Sequence, residues 1–282
     1  MLANLKYTNL PKHFWAHVKL LSEQLGYSDR GTGKPKIYSK QEIENGMEKL
    51  GLSATHLNEI LSDNKTYIET VVGYLNYRSK VLAERVEPNL MDRNQAKVIF
   101  DKLRSEVRPK CKLIMNKQKG EKKHYSYLTC IVDILTEKTL GSCDFVQDPQ
   151  SLVIATKDNK PLRTFTRRFD GVYPTITNPL AVWEIKEYYG TTTFGSRVAD
   201  GVYETLLEGS ELLELEESEK IHIKHYLVVD DHFTWWIKGK SYLCRIIDML
   251  HMNFVNEVLF GKEVVERWPE IVRSWKNKLP GQ

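Results

Sequence analysis

Up to about residue 110 the apolar residues recur at spacings of three and four with few β-branched runs, a pattern that predicts helices. "HFWAHVKLLSEQLG" reads as one amphipathic helix stopped at Gly26, followed by the turn-forming "YSDRGTGKPK". In "SKQEIENGMEKLGLSATHLNEIL", Ser39 and Glu42 have the spacing of a capping box, the helix they open ends near Gly51, and Ser53 can cap a second helix from Ala54 to Leu61. Two short helices about a glycine turn have the outline of a helix-turn-helix, and equally of a plain helical packing unit. Helices are also expected from Thr66 to Val86 and from Asn94 to Val107.

From about residue 124 the pattern changes. "HYSYLTCIVDILTEKTLG" predicts a helix with Leu128, Ile131, Val132 and Leu135 on its buried face and Asp133 and Glu137 towards solvent. "SLVIAT", "LRTFTRRFDGVYP" and "LAVWEIKEYY" read as three strands of a meander, separated by the turn clusters "KDNKP" and "TITNP". "RVADGVYETLLEGSELLELEE" is helical, "IHIKHYLVVDD" returns to strand, and two helical stretches follow. The order α, β, β, β, α, β, α predicts an α/β fold with a mixed sheet flanked by helices over residues 111–282, preceded by an all-helical domain over residues 1–110.

With 41% hydrophobic and 28% charged residues among 282, the composition is that of a globular chain. No window approaches the roughly 20 apolar residues of a membrane span. "MLANLKYTNLPKHFW" also lacks the basic and then apolar layout of a secretory signal. The expectation is a cytoplasmic protein without a membrane partner. Cys111, Cys130, Cys143 and Cys244 are scattered and show no zinc spacing. Charge is uneven: residues 1–123 hold 23 Lys and Arg against 14 Asp and Glu, and the remainder 18 against 23. A basic first part can face phosphates, and an acidic second part can recruit a divalent cation. Lys117, Lys119, Lys122 and Lys123 crowd one turn-like segment, either a solvated surface or a linker that contacts phosphates.

The pattern [DE]-x-Lys occurs four times, but only Glu184-x-Lys186 lies in an apolar run, among Ala181, Val182, Trp183 and Ile185. Buried charges are costly unless paired or bound to a metal. Strand alternation puts Glu184 and Lys186 on one face and Ile185 on the other. Across "TITNP", Asp170 sits in the preceding strand, and a hairpin would bring it close enough to Glu184 to share one cation. Arg167 and Arg168 beside it can grip phosphates, or one of them can pair with Glu187. "DDH", Asp230 to His232, fits either a metal site or a polar turn, and Trp235 and Trp236 fit the core.

"RRFDGV … AVWEIKEYY" resembles the active-site signature of the PD-(D/E)xK nuclease superfamily, with Phe169 where the signature has proline. The resemblance implies a restriction-endonuclease-like fold and a Mg²⁺-dependent DNA endonuclease, with Mn²⁺ able to substitute. It assigns catalysis to Asp170, Glu184 and Lys186, and metal ligation to Asp170, Glu184 and the Ile185 carbonyl. Glu121 would join them if the first core helix extends back through "GEKKH". DNA contacts would come from Arg167, Arg168, Lys119, Lys122, Lys123 and Arg197. A phosphodiester resists hydrolysis because its anionic oxygens repel the nucleophile and its alkoxide leaves poorly, and a cation held by hard carboxylate oxygens relieves both. Restriction or a related defence role is implied, on double-stranded DNA and as a homodimer matching a two-fold target. Two other readings stay open: a non-catalytic helix-turn-helix DNA-binding protein, and a repair or transposition nuclease of the same fold.

Overall fold

Side-chain caps set the starts of several helices that periodicity predicts. The computed structural model describes residues 1–62, 64–118, 121–142, 144–189 and 195–276. α1 (Lys12–Leu25) ends at Gly26, and α2 (Lys40–Lys49) opens on the Ser39/Glu42 capping box. The segment after it departs from expectation. Thr55–Asn58 make a single 3-10 turn, after which the chain extends into β1 (Ile60–Ser62), paired with β2 (Lys65–Thr66). Four residues in one turn present no recognition face, so the helix-turn-helix reading loses its second helix. α3 (Tyr67–Val81) starts from a second capping box, Thr66 with Glu69.

These elements and a later helix, α7 (Lys240–His251), form one compact unit, Ala3–Pro88 with Gly239–Met252. Its core is built from Phe14, Val18, Leu21, Ile43, Leu57, Val71 and Tyr74. The boundary therefore lies at Pro88 and not near residue 110, and the unit is not purely helical.

The second unit takes in Asn89–Lys238 and Asn253–Gln282. α4 (Arg93–Val107), expected among the N-terminal helices, belongs to it. A hairpin of β3 (Met115–Gln118) and β4 (Glu121–Tyr125) follows, then α5 (Tyr127–Leu140). The sheet runs in the order β11, β10, β9, β8, β5. β5 (Val146–Gln147), β8 (Gly171–Tyr173) and β9 (Ala181–Glu187) are antiparallel neighbours. α6 (Ser196–Glu219) then crosses over to β10 (Lys224–Asp230), parallel to β9, with β11 (Glu257–Phe260) parallel beyond it. "SLVIAT" does carry a strand, but not one of this sheet: β6 (Ile154–Lys157) and β7 (Lys160–Thr164) form a separate hairpin. The first strand of the meander is the two-residue β5 instead. α8 (Glu263–Lys276) closes the unit.

β9 is buried on both faces, as a central strand flanked by a parallel neighbour should be. Ala181, Trp183 and Ile185 join a core with Leu128, Ile131, Trp268 and Trp275 from α5 and α8. Val182 points the other way, into a core with Leu212 and Leu215 of α6. Glu184 and Lys186 continue the Val182 row. A Cβ on Gly171 would meet the Trp183 ring at 2.0 Å, so only glycine lets this ring lie across β8 beside Asp170.

Candidate active site

The β8–β9 register pairs Gly171 with Trp183, which sets Asp170 opposite Glu184. Asp170 leaves the ladder there. Its N–H donates to the Trp183 carbonyl at 3.1 Å, and its Oδ2 accepts from the Ile185 N–H at 2.6 Å. The N–H and C=O of one strand residue point to the same side, so the Ile185 carbonyl faces the Asp170 side too. Glu184 is 2% exposed, and its Oε2 accepts from the Lys186 ammonium at 2.9 Å. Its Oε1 is buried without a hydrogen-bond partner. Burial, and next the Asp170 charge, raise the Glu184 carboxyl well above its ordinary range against the pull of Lys186. Burial alone would lower Lys186, but Glu184, Asp170 and Glu208 outweigh it and hold the ammonium above its usual value. Trp235 fixes the strand end, its indole N–H donating to the Lys186 carbonyl at 3.3 Å.

Sequence reasoning missed the acids of α6. Glu204, Glu208 and Leu212 follow one another at four-residue spacing, so they share a helix face, and Leu212 buries that face against the sheet. Where the β9 row turns from Val182 to Glu184 and Lys186, the helix row turns from leucine to glutamate. Glu204 Oε2 lies 3.2 Å from the Lys186 ammonium. Glu208 is fully buried, with Arg167 Nε at 3.5 Å and His225 Nε2 at 3.9 Å. Burial first, partly opposed by Lys186 and Arg167, pushes Glu208 up to about 8. Acids at four-residue spacing within an apolar stripe were the available signal.

α5 corrects a second expectation. Asp133 is 2% exposed rather than solvent-facing, because α4, α8 and β9 all pack against this helix and solvent reaches it mainly near its C-terminal end, at Lys138. Glu187 pairs with neither Arg167 nor Arg168, which meet Glu204 and Glu208 and Gln150 instead. It caps α5, accepting from the Leu128 N–H at 2.8 Å and the Thr129 hydroxyl at 3.0 Å. Burial, with smaller contributions from Asp170 and Glu187, pushes Asp133 up to about 8. An unfolded aspartate titrates near ~3.9. Between these values the folded chain keeps a proton that the unfolded chain has lost. The stability contributed by protonated Asp133 is therefore full below about pH 4 and is lost as the pH rises to about 8. Asp133→Asn is expected to stabilise the chain by about 1–3 kcal/mol at pH 8 and by little at pH 4, read by urea denaturation at both. An equal effect at both values would mean that Asp133 stays ionised in the fold.

The remaining candidates divide. Arg167 is engaged by Glu204 and Glu208, whereas Arg168 is exposed, with Gln150 Oε1 3.4 Å from its Nη1. Both line a cavity of about 400 Å³ that Asp170 also borders. Lys119 lies outside the described residues, as do the side chains of Glu121, Lys122, Lys123 and Arg197. The backbone carries Glu121 on β4, so the first core helix does not extend back through "GEKKH". "DDH" is structural: Asp230 accepts from the Met91 N–H at 2.7 Å and from the Tyr189 hydroxyl, and Asp231 from the Thr234 N–H at 3.1 Å. Trp235 and Trp236 are core residues.

Among the described residues no three His, Cys, Asp or Glu side chains form a closed metal cage. The Asp170 and Glu184 carboxylates with the Ile185 carbonyl are an open set of hard oxygens, and the unpartnered Glu184 Oε1 is a buried atom that a cation would satisfy. Such a set fits Mg²⁺, which keeps several waters and takes one or two carboxylates.

No curated protein and no solved structure matches the chain. Residues 1–85 match the family model described as Domain of unknown function (DUF7690). Residues 91–275, more than half of the chain and the part that carries Asp170, Glu184 and Lys186, match Domain of unknown function (DUF7687), and the chain belongs to that family.

Proposed function

We propose that the chain is a Mg²⁺-dependent DNA endonuclease with a restriction-endonuclease-like core, acting in restriction or a related defence role. The observation that carries this reading is Asp170 opposite Glu184, with Lys186 two residues on and on the same face. The order α5, β5, β8, β9, α6, β10, with β10 parallel to β9, supports it, since this is the order the resemblance implies.

Asp170, Glu184 and the Ile185 carbonyl would hold the cation, which supplies charge neutralisation and an acidified water when bound. Asp170 is oriented for this by the Ile185 N–H. Lys186 keeps its proton and offers a fixed positive charge to the phosphate oxygens, where charge develops in the transition state. Trp183 and Ile185 anchor the strand from the opposite face and hold these groups in register. Cutting both strands with one such site per chain favours a homodimer on a two-fold symmetric duplex.

The test is incubation with supercoiled plasmid. Linearisation or nicking with Mg²⁺ or Mn²⁺, abolished by EDTA, is expected. Intact plasmid under all conditions, with retarded mobility on a gel, would instead favour a DNA-binding protein without catalysis. Discrete fragments point to restriction, and smearing to a repair or transposition role.

A further inference from the structure

Two cations from different segments of the chain meet one carboxylate beside Asp170. Glu204 Oε2 lies 3.2 Å from Lys186 Nζ, and Glu204 Oε1 lies 2.9 Å from Arg167 Nη2. A carboxylate that bridges an ammonium and a guanidinium through its two oxygens makes the contacts that two non-bridging oxygens of a phosphodiester would make. The bridge is not sealed in. The Glu204 side chain is 27% exposed and that of Arg167 is 40% exposed, so Glu204 can swing out without unfolding α6. The cavity of about 400 Å³ next to it is lined by Arg167, Arg168 and Asp170, which leaves room for the backbone on either side of a bound phosphate. Glu208 is different: it is fully buried behind Arg167, so it steers the guanidinium but cannot leave.

We propose that Lys186 and Arg167 form the phosphodiester-binding site of this chain and that the Glu204 carboxylate is its built-in occupant, displaced when DNA binds. The proposal rests on the nuclease reading and adds a regulation of the same site. In the free chain the two cations are already neutralised, so an isolated phosphate gains little by binding there. A duplex brings neighbouring phosphates to Arg168, and their added attraction opens the bridge. Glu204 thereby makes access to Lys186 depend on an extended polyanion.

The test is binding of a short fluorescent DNA duplex by anisotropy, in EDTA so that no cleavage occurs. Glu204→Gln is expected to bind about tenfold tighter than wild type, with a salt slope steeper by about one. Adding Arg167→Ala to that variant should remove the gain. Glu204→Ala, at the same partly exposed position, repeats the test should the glutamine chain fold poorly. Unchanged or weaker binding in both Glu204 variants overturns the proposal, and so does a gain that survives loss of Arg167. If the gain appears but the wild type cuts no plasmid with Mg²⁺, the nuclease reading fails while the built-in occupant stands.

Discussion

Asp170→Asn is expected to lower the rate of plasmid cleavage by about a hundredfold or more while leaving the fold intact. The substitution keeps volume and keeps an oxygen to accept the Ile185 N–H, a bond of 2.6 Å. What it removes is the charge that would balance a cation across from Glu184. Hard divalent cations depend on that charge, and losing one electrostatic contact made in the transition state costs about 10²–10³ in rate. Lys186→Met tests the other half of the arrangement. It should cost a similar factor, and without the Lys186 ammonium the burial and the Asp170 charge that already raise the Glu184 carboxyl act unopposed. Initial rates on supercoiled plasmid, with thermal melting as the control for folding, check both. An Asp170→Asn chain that melts like wild type and cuts as fast would take the carboxylate pair out of the mechanism.

The site was legible where one strand's alternation and one hairpin carry it. Glu184 and Lys186 stand out because Ala181, Val182, Trp183 and Ile185 surround them, and Asp170 follows from a single turn. Glu204 and Glu208 show in the sequence only as acids at four-residue spacing in an apolar stripe; what they meet was not legible, because their partners are 17 residues or more away and the facing of the helix is set by packing. Asp133 was misread for a related reason. A helical wheel assumes a solvent side along the whole helix, but α4, α8 and β9 pack against α5 and cover Asp133. In the sheet, a two-residue strand such as β5 leaves no periodic trace, and β6 and β7 look locally like the meander strands they are not. The 3-10 turn at Thr55–Asn58 shows the limit of capping signals. Ser53 is not its cap: Ala54 holds that position without a side-chain hydrogen bond, Ser53 Oγ accepts only locally from the Thr55 N–H at 3.2 Å, and the stretch before β1 is too short to propagate a helix.

Arg78→Met is expected to destabilise the N-terminal unit by about 3–5 kcal/mol, the cost of removing one partner of a buried ion pair. Arg78 on α3 is 1% exposed, and its Nη1 reaches both oxygens of Asp248 on α7, at 3.0 and 2.8 Å. Its Nη2 donates to Ser22 on α1 at 2.8 Å, and Tyr74 donates to the same Asp248 at 2.6 Å. The pair thus ties a helix from residues 240–251 into a unit otherwise built from the first 88 residues, a membership that hydrophobic periodicity cannot announce. Methionine retains most of the apolar stem but leaves the Asp248 carboxylate, 15% exposed, with its Tyr74 partner alone. Because the penalty comes from a stranded charge, Arg78→Met combined with Asp248→Leu should recover most of the loss, as apolar replacements of buried pairs commonly do. The loss should also change little between low and high salt, unlike that of an exposed pair. Urea denaturation of the single and double variants reads all three quantities. A loss below about 1 kcal/mol in the single variant, the range of exposed pairs, would mean that α7 is held by apolar packing alone.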